Sequence, residues 1–183
     1  MRRIVLSLAV LGAASLAACS GGGSVLNSVG ANTPDNVIVT VAGSSNVARV
    51  LPGASLPISA VAVSGSQNGV LSNNRFTWTA ALVSSGTYTY NTTGQTKPCA
   101  QIVQTPAGGA ATPFTTDFSI YITIDPTNEA NVLFAPPPIV PAPAGSTLAV
   151  SYPYCVVVSA TAVGSSAVGS ITVAVVNPQN PLQ

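Results

Sequence analysis

Arg75-Phe76-Thr77-Trp78-Thr79-Ala80-Ala81-Leu82 decides the fold class. Phe76, Trp78, Ala80 and Leu82 alternate with Arg75, Thr77, Thr79 and Ala81. Successive side chains of a strand point to opposite faces, so this period of two predicts a half-buried strand with Trp78 turned inward. The same pattern recurs on both sides of it. Residues 37–41 and 56–63 read as strands, and 47–51 as a short edge piece. Residues 87–90 and 100–103 read as short strands. Phe118, Ile120, Ile122 and Ile124 alternate with Ser119, Tyr121 and Thr123, the most regular alternation in the chain. Residues 154–163 and 169–176 are the last two strands.

Turn signals separate these segments, among them Pro52-Gly53, Ser84-Ser85-Gly86, Gly108-Gly109 and Asp125-Pro126-Thr127-Asn128. Five prolines between residues 136 and 143 exclude a central strand there and predict polyproline II. Val, Ile and Thr are abundant, and they favour strands. The fold class expected is therefore all-β: an antiparallel β-sandwich of about seven to nine strands.

The N-terminus has a different grammar. Arg2 and Arg3 precede residues 4–14, which are apolar apart from Ser7 and Gly12. That core is too short for a lasting span, which needs roughly 20 residues. A basic start, a short apolar core and small residues before a cut mark a secretory signal. Leu16-Ala17-Ala18-Cys19 resembles the lipobox of bacterial lipoproteins. The resemblance implies that the Cys19 thiol takes a diacylglyceryl group and becomes the new N-terminus. Ser20, standing where an Asp would otherwise follow the cysteine, resembles the pattern of lipoproteins sent on to the outer membrane. The implied location is the cell envelope, with the outer membrane favoured over the inner. The chain then divides into a signal at 1–18, the lipidated cysteine and a Gly- and Ser-rich tether at 19–35, a β-domain at 36–178 and a tail at 179–183.

Residues 19–183 carry Arg49, Arg75 and Lys97 against Asp35, Asp117, Asp125 and Glu129, a net charge of −1. Three scattered cations cannot build a basic patch, so the sequence excludes nucleic acid as a partner. Membrane attachment is left to the lipid, not to a polybasic face. With Cys19 acylated, Cys99 and Cys155 remain as a pair outside the cytoplasm, where such a pair reads as a disulfide. It would close a loop of about 56 residues, worth ~4 kcal/mol on the chain-entropy argument.

Two segments resemble bacterial immunoglobulin-like domains. Phe76-Thr77-Trp78-Thr79 is similar to that family's third-strand tryptophan motif. Residues 156–162 followed by 169–175 are similar to its closing hairpin. The resemblance implies an immunoglobulin-like sandwich. One feature departs from it: the second expected strand, 56–63, contains no cysteine. If Val156, Val158 and Ala160 face inward, Cys155 faces outward. The bridge is then expected as a staple on one face or edge, not a pin through the core.

The chain has no histidine, which excludes Ser-His-Asp and Cys-His catalysis and histidine metal sites. Asp117 and Asp125 would lie about 27 Å apart on one extended strand, too far for a glycosidase pair. Gly108-Gly109 lacks the Lys and the following helix of a phosphate loop. The sequence therefore predicts a non-catalytic protein with no cofactor beyond the covalent lipid. Asp125, Asn128 and Glu129 offer hard oxygens to Ca²⁺; the competing reading is a capped turn with solvated acids. Tyr88, Tyr90 and Tyr121 are candidate ligand-facing aromatics for a sugar platform; the competing reading is cross-strand packing. Two functions follow as expectations: a lipid-anchored adhesion or protein-interaction module at the envelope, and a carbohydrate-binding module at the cell surface.

Overall fold

The computed structural model describes residues 33–41, 47–64, 69–71 and 75–180. The expected signal, Cys19, most of the tether and the last three residues of the tail lie outside the described residues.

The first strands are β1 (Asn36–Val41), β2 (Arg49–Val50), β3 (Leu56–Ser64), β4 (Gly69–Val70) and β5 (Phe76–Val83). Next come β6 (Thr87–Thr89), β7 (Thr96–Pro98), β8 (Val103–Pro106), β9 (Thr112–Pro113) and β10 (Thr116–Asp117). The last are β11 (Ile122–Ile124), β12 (Asn131–Phe134), β13 (Ser146–Ala149), β14 (Tyr154–Ala162) and β15 (Val168–Val175). Eight of these have four or more residues, and the helical content among the described residues is one 3-10 turn, Ser119–Tyr121. The protein is an all-β sandwich.

One sheet runs β1-β3-β12-β11, with β4 paired to the end of β3. The other runs β10-β5-β14-β15-β2. All pairings are antiparallel except β15 with β2. A small sheet, β13-β8-β9, and a hairpin, β6-β7, complete the set.

Burial follows the pleat. β3 and β5 alternate buried with more exposed positions along nearly their whole length. Val37, Val39, Ile58, Ala60, Val132 and Phe134 from the first sheet share one apolar cluster with Trp78, Leu82, Val156, Val158 and Val173 from the second. Trp78 sits opposite Ala160, and Val158 opposite Ala80, so large side chains face small ones across neighbouring strands. The Trp78 Nε1 donates to the Glu129 carbonyl at 2.8 Å, which satisfies the one polar atom of a ring only 6% exposed. Where β1 crosses β15, Gly169 is required by close approach. A Cβ there would run into the Val37 carbonyl, with the carbonyl carbon at 2.7 Å.

The regular alternation at 118–124 is not one strand. Thr116–Asp117 pairs with β5 in the second sheet, whereas Ile122–Ile124 pairs with β12 in the first. The chain changes sheets in between. Asp117 Oδ1 accepts the Ser119 amide at 2.8 Å, Ser119 Oγ accepts the Ala80 amide at 3.0 Å, and the Phe118 amide donates to the Ala80 carbonyl at 2.8 Å. These bonds fix a corner, and a corner cannot keep period two. Phe118 is buried while Ile120, expected inward, is 79% exposed. The distance argued for Asp117 and Asp125 on one extended strand does not apply to this path.

Two further expectations shift. The strand expected at 100–103 begins at Val103 and pairs with β13. Residues 131–134, which carry no strand signal of their own, insert between β3 and β11. The prolines that follow contain no strand, and the Gly53 amide donates to the Pro136 carbonyl at 2.8 Å, tying the run to the body.

Candidate functional site

The outward face of the first sheet is apolar and open. Ile38 stands beside Val61, and Pro57 beside Leu133. Ile38 and Leu133 are each 47% exposed on it; Ile124, opposite buried Val132 on the last strand of the sheet, has the inward parity and is 44% exposed at the edge. A cleft of about 470 Å³ lies over β3, β11 and β12, lined by Pro57, Thr123, Ile124, Pro126 and Leu133, with Asp125 its one charged residue. Ser59 Oγ donates to Asn131 Oδ1 at 2.8 Å. That bond joins two polar side chains of the cleft to each other.

The outward face of the second sheet is covered at one end, while Thr77, Thr79 and Ala81 of β5 stay exposed at the other. Cys155 and Ala174 point away from the sandwich interior, yet both are fully buried. With Tyr88 and Val176 they make a second, smaller apolar cluster, against which Val83, Tyr90 and Cys99 pack. The cover is the β6-β7 hairpin, and the Cys99–Cys155 disulfide holds it down, with Cα atoms 5.6 Å apart. The Cys99 amide donates to the Gly86 carbonyl at 2.9 Å, and the Ala100 amide to the Pro153 carbonyl at 2.6 Å. The bridge is a staple on one face, as the outward parity of Cys155 requires.

The sequence-predicted aromatics do not form one platform. Tyr88 is buried beneath its hairpin, because its ring fills the second cluster. Tyr90 is half-buried on the same hairpin. Tyr121 is half-buried in the 3-10 turn, its ring edge-on to Phe118 at 5.0 Å and packed on the main core. Tyr152 and Tyr154 meet at 5.5 Å. Burial pushes the Tyr154 hydroxyl well above the usual phenol range, and the neighbouring Tyr152 and Tyr121 add to the shift.

The carboxylate turn is engaged internally. Asp125 Oδ1 accepts the Thr127 hydroxyl at 2.7 Å and its amide at 2.8 Å, and these bonds hold its pKa below the usual Asp value. Asn128 Oδ1 accepts the Ala130 amide at 3.1 Å. Glu129 takes both ends of the Arg75 guanidinium at 2.9 Å. That pairing lowers the Glu129 pKa and raises that of Arg75. The structure therefore directs Asp125, Asn128 and Glu129 to separate partners and not to a shared point. Asp117 is likewise lowered by its bonds to Ser119. Among the described residues no three His, Cys, Asp or Glu gather as metal ligands.

Sequence reasoning missed Arg49 and Lys97. The fold brings these two cations together at Tyr90. The only linear signal was that tyrosines alternate through 87–90 with a lysine on the returning arm. No protein-family model matches the chain, and neither curated proteins nor solved structures give a match.

Proposed function

We propose that residues 19–183 form a lipid-anchored cell-envelope protein, most suited to the outer membrane, whose immunoglobulin-like sandwich is a non-catalytic adhesion or protein-interaction module. One observation carries the reading: the outward face of the first sheet, where Ile38 and Leu133 are about half exposed and Leu133 lines a 470 Å³ cleft. Exposed apolar side chains on both sides of the polar Thr40-Ser59-Asn131 row give a surface suited to protein contact. The lipobox-like Leu16-Ala17-Ala18-Cys19 supports the anchor, and a chain without histidine supports the absence of catalysis. The carbohydrate reading based on stacked tyrosines loses its main support, since Tyr88 is buried and Tyr121 packs on the main core.

The test compares wild type with Ile38→Asp and Leu133→Asp, expressed with the leader and recovered from envelope extract after crosslinking. Wild type should carry one stoichiometric envelope protein, and both variants should lose it while melting as wild type does. Mass spectrometry of the same sample should show residues 1–18 removed and lipid on Cys19. A partner retained by both variants, or an intact unacylated leader, overturns the proposal.

A further inference from the structure

Two of the three cations in residues 19–183 meet at one ring. Arg49 lies on edge strand β2 and Lys97 on hairpin strand β7. The Arg49 guanidinium carbon is 6.0 Å from the Tyr88 ring centre and 5.9 Å from that of Tyr90. Lys97 Nζ is 4.6 Å from the Tyr90 ring centre. The third cation, Arg75, is paired with Glu129 elsewhere. Neither Arg49 nor Lys97 has a carboxylate in ion-pair reach among the described residues. Arg49 Nε and the Tyr88 hydroxyl are both buried without a hydrogen-bond partner. Cation–π contact lowers the energy of a cation without neutralising its formal charge. The spot thus holds two full positive charges with no carboxylate among the described residues to answer them.

Beside these cations the hairpin tip is pre-organised. The Tyr90 hydroxyl and Asn91 Nδ2 both donate to Gln95 Oε1, at 2.5 and 2.8 Å. Thr93 Oγ1 and the Gln95 amide both donate to Asn91 Oδ1, at 2.8 and 3.0 Å. The network fixes two planar side-chain amides at the surface. Each amide oxygen already accepts two of these bonds, so the tip presents the remaining amide N–H donors, which suit the hydroxyl oxygens of a sugar. Arg and Lys supply charge-assisted bonds to a carboxylate or sulfate.

We propose that Arg49, Lys97 and the 90–95 tip bind an acidic saccharide, its anionic group on the two cations and its hydroxyls on the Asn91 and Gln95 amides. A free oxyanion would use the charges and leave the amide donors of the tip idle. The net charge of −1 gives no long-range attraction, so recognition is by close contact and is sensitive to salt. This site is on the opposite outer face from the apolar cleft and stands or falls independently of it.

The test is an array of uronate-, sulfate- and phosphate-bearing oligosaccharides with their neutral counterparts, probed with the disulfide-intact protein. The strongest ligand is then titrated. Lys97→Gln should weaken it about tenfold, as the loss of one charge-assisted bond predicts, and Lys97→Arg should restore it. Asn91→Ala with Gln95→Ala should weaken it while leaving its salt dependence in place. Arg49→Gln is read only beside its melting curve, because Arg49 also packs on the hairpin. Silence on every acidic sugar overturns the proposal. So does equal binding of the neutral counterpart, equal competition by inorganic sulfate or a glutamate hexapeptide, or an unchanged Lys97→Gln.

Discussion

Tyr154 and Cys155 are consecutive residues of β14, and they belong to different bodies of the molecule. Tyr154 faces inward and joins the main core, while Cys155 faces outward and joins the small cluster under the β6-β7 hairpin. On the other sheet the outward residues Ile38 and Leu133 have no such cover and remain about half exposed. The two outer faces start from the same strand chemistry. What separates Cys155 from Ile38 and Leu133 is a three-by-three-residue hairpin and one covalent bond. Period two tells which way a side chain points relative to the interior; it does not tell whether outward means wet.

The largest expected effect comes from removing that bond. Cys99→Ser with Cys155→Ser opens a loop of 56 residues, and the chain-entropy argument puts the loss at ~4 kcal/mol. For a domain of this size that is a fall of roughly 10 °C in Tm. The covered face should also become accessible, so Tyr88 should gain exposure in tyrosine quenching while Trp78 fluorescence keeps its buried signature. A double variant that melts as wild type does would show that the hairpin stays down without its staple.

A smaller loss is expected at the seam between the sheets. Gly169→Ala sets a methyl group against the Val37 backbone, which unlike a side-chain tip cannot swing away. Overpacking of this kind costs about 3 kcal/mol at its upper end. Substitutions at solvent-facing Ile38 should stay within about 0.5 kcal/mol. Denaturant unfolding of the two variants measures the contrast directly. If Gly169→Ala unfolds with wild-type stability, β1 and β15 are not held at the spacing described.

Much of the architecture was legible because period two is a local property. β5, β14 and β15 could be read from their own residues, and so could the outward parity of Cys155. The corner at 117–121 could not. It depends on Ser119 meeting Ala80, 39 residues away, and nothing in an unbroken alternation announces a change of sheet. β12 and β13 are four residues each, too short to show a period, and they become strands only because β3 and β8 offer free edges. The open face was hidden for another reason. In β3 the outward positions Val61 and Val63 are as apolar as the inward ones, a pattern that suits a strand buried on both sides. The cation pair was invisible because Arg49 comes from a two-residue edge strand and Lys97 from a hairpin far along the chain. The lipid anchor rests on sequence alone.

The smallest expected effect separates a side chain from its own backbone. Glu129 links the two sheets twice: its carbonyl accepts Trp78 Nε1 on β5, and its carboxylate pairs with Arg75 next to β5. The carboxylate is lowered below its ordinary 4.5 first by the Arg75 hydrogen bond. A lowered folded-state pKa contributes stability above the ordinary value and loses it as pH falls through the lowered one. Arg75 is 72% exposed and Glu129 37%, so solvent screens much of the pairing. Glu129→Gln should therefore melt slightly below wild type at neutral pH, and the two curves should converge as pH falls below 4.5. Trp78 fluorescence should stay the same throughout, since the carbonyl is untouched. Convergence would assign the link between sheets to the backbone bond. Curves that stay apart in acid, or a shifted Trp78 signal, would mean that the Arg75 pair holds the 126–130 turn in place and that the tryptophan bond depends on it.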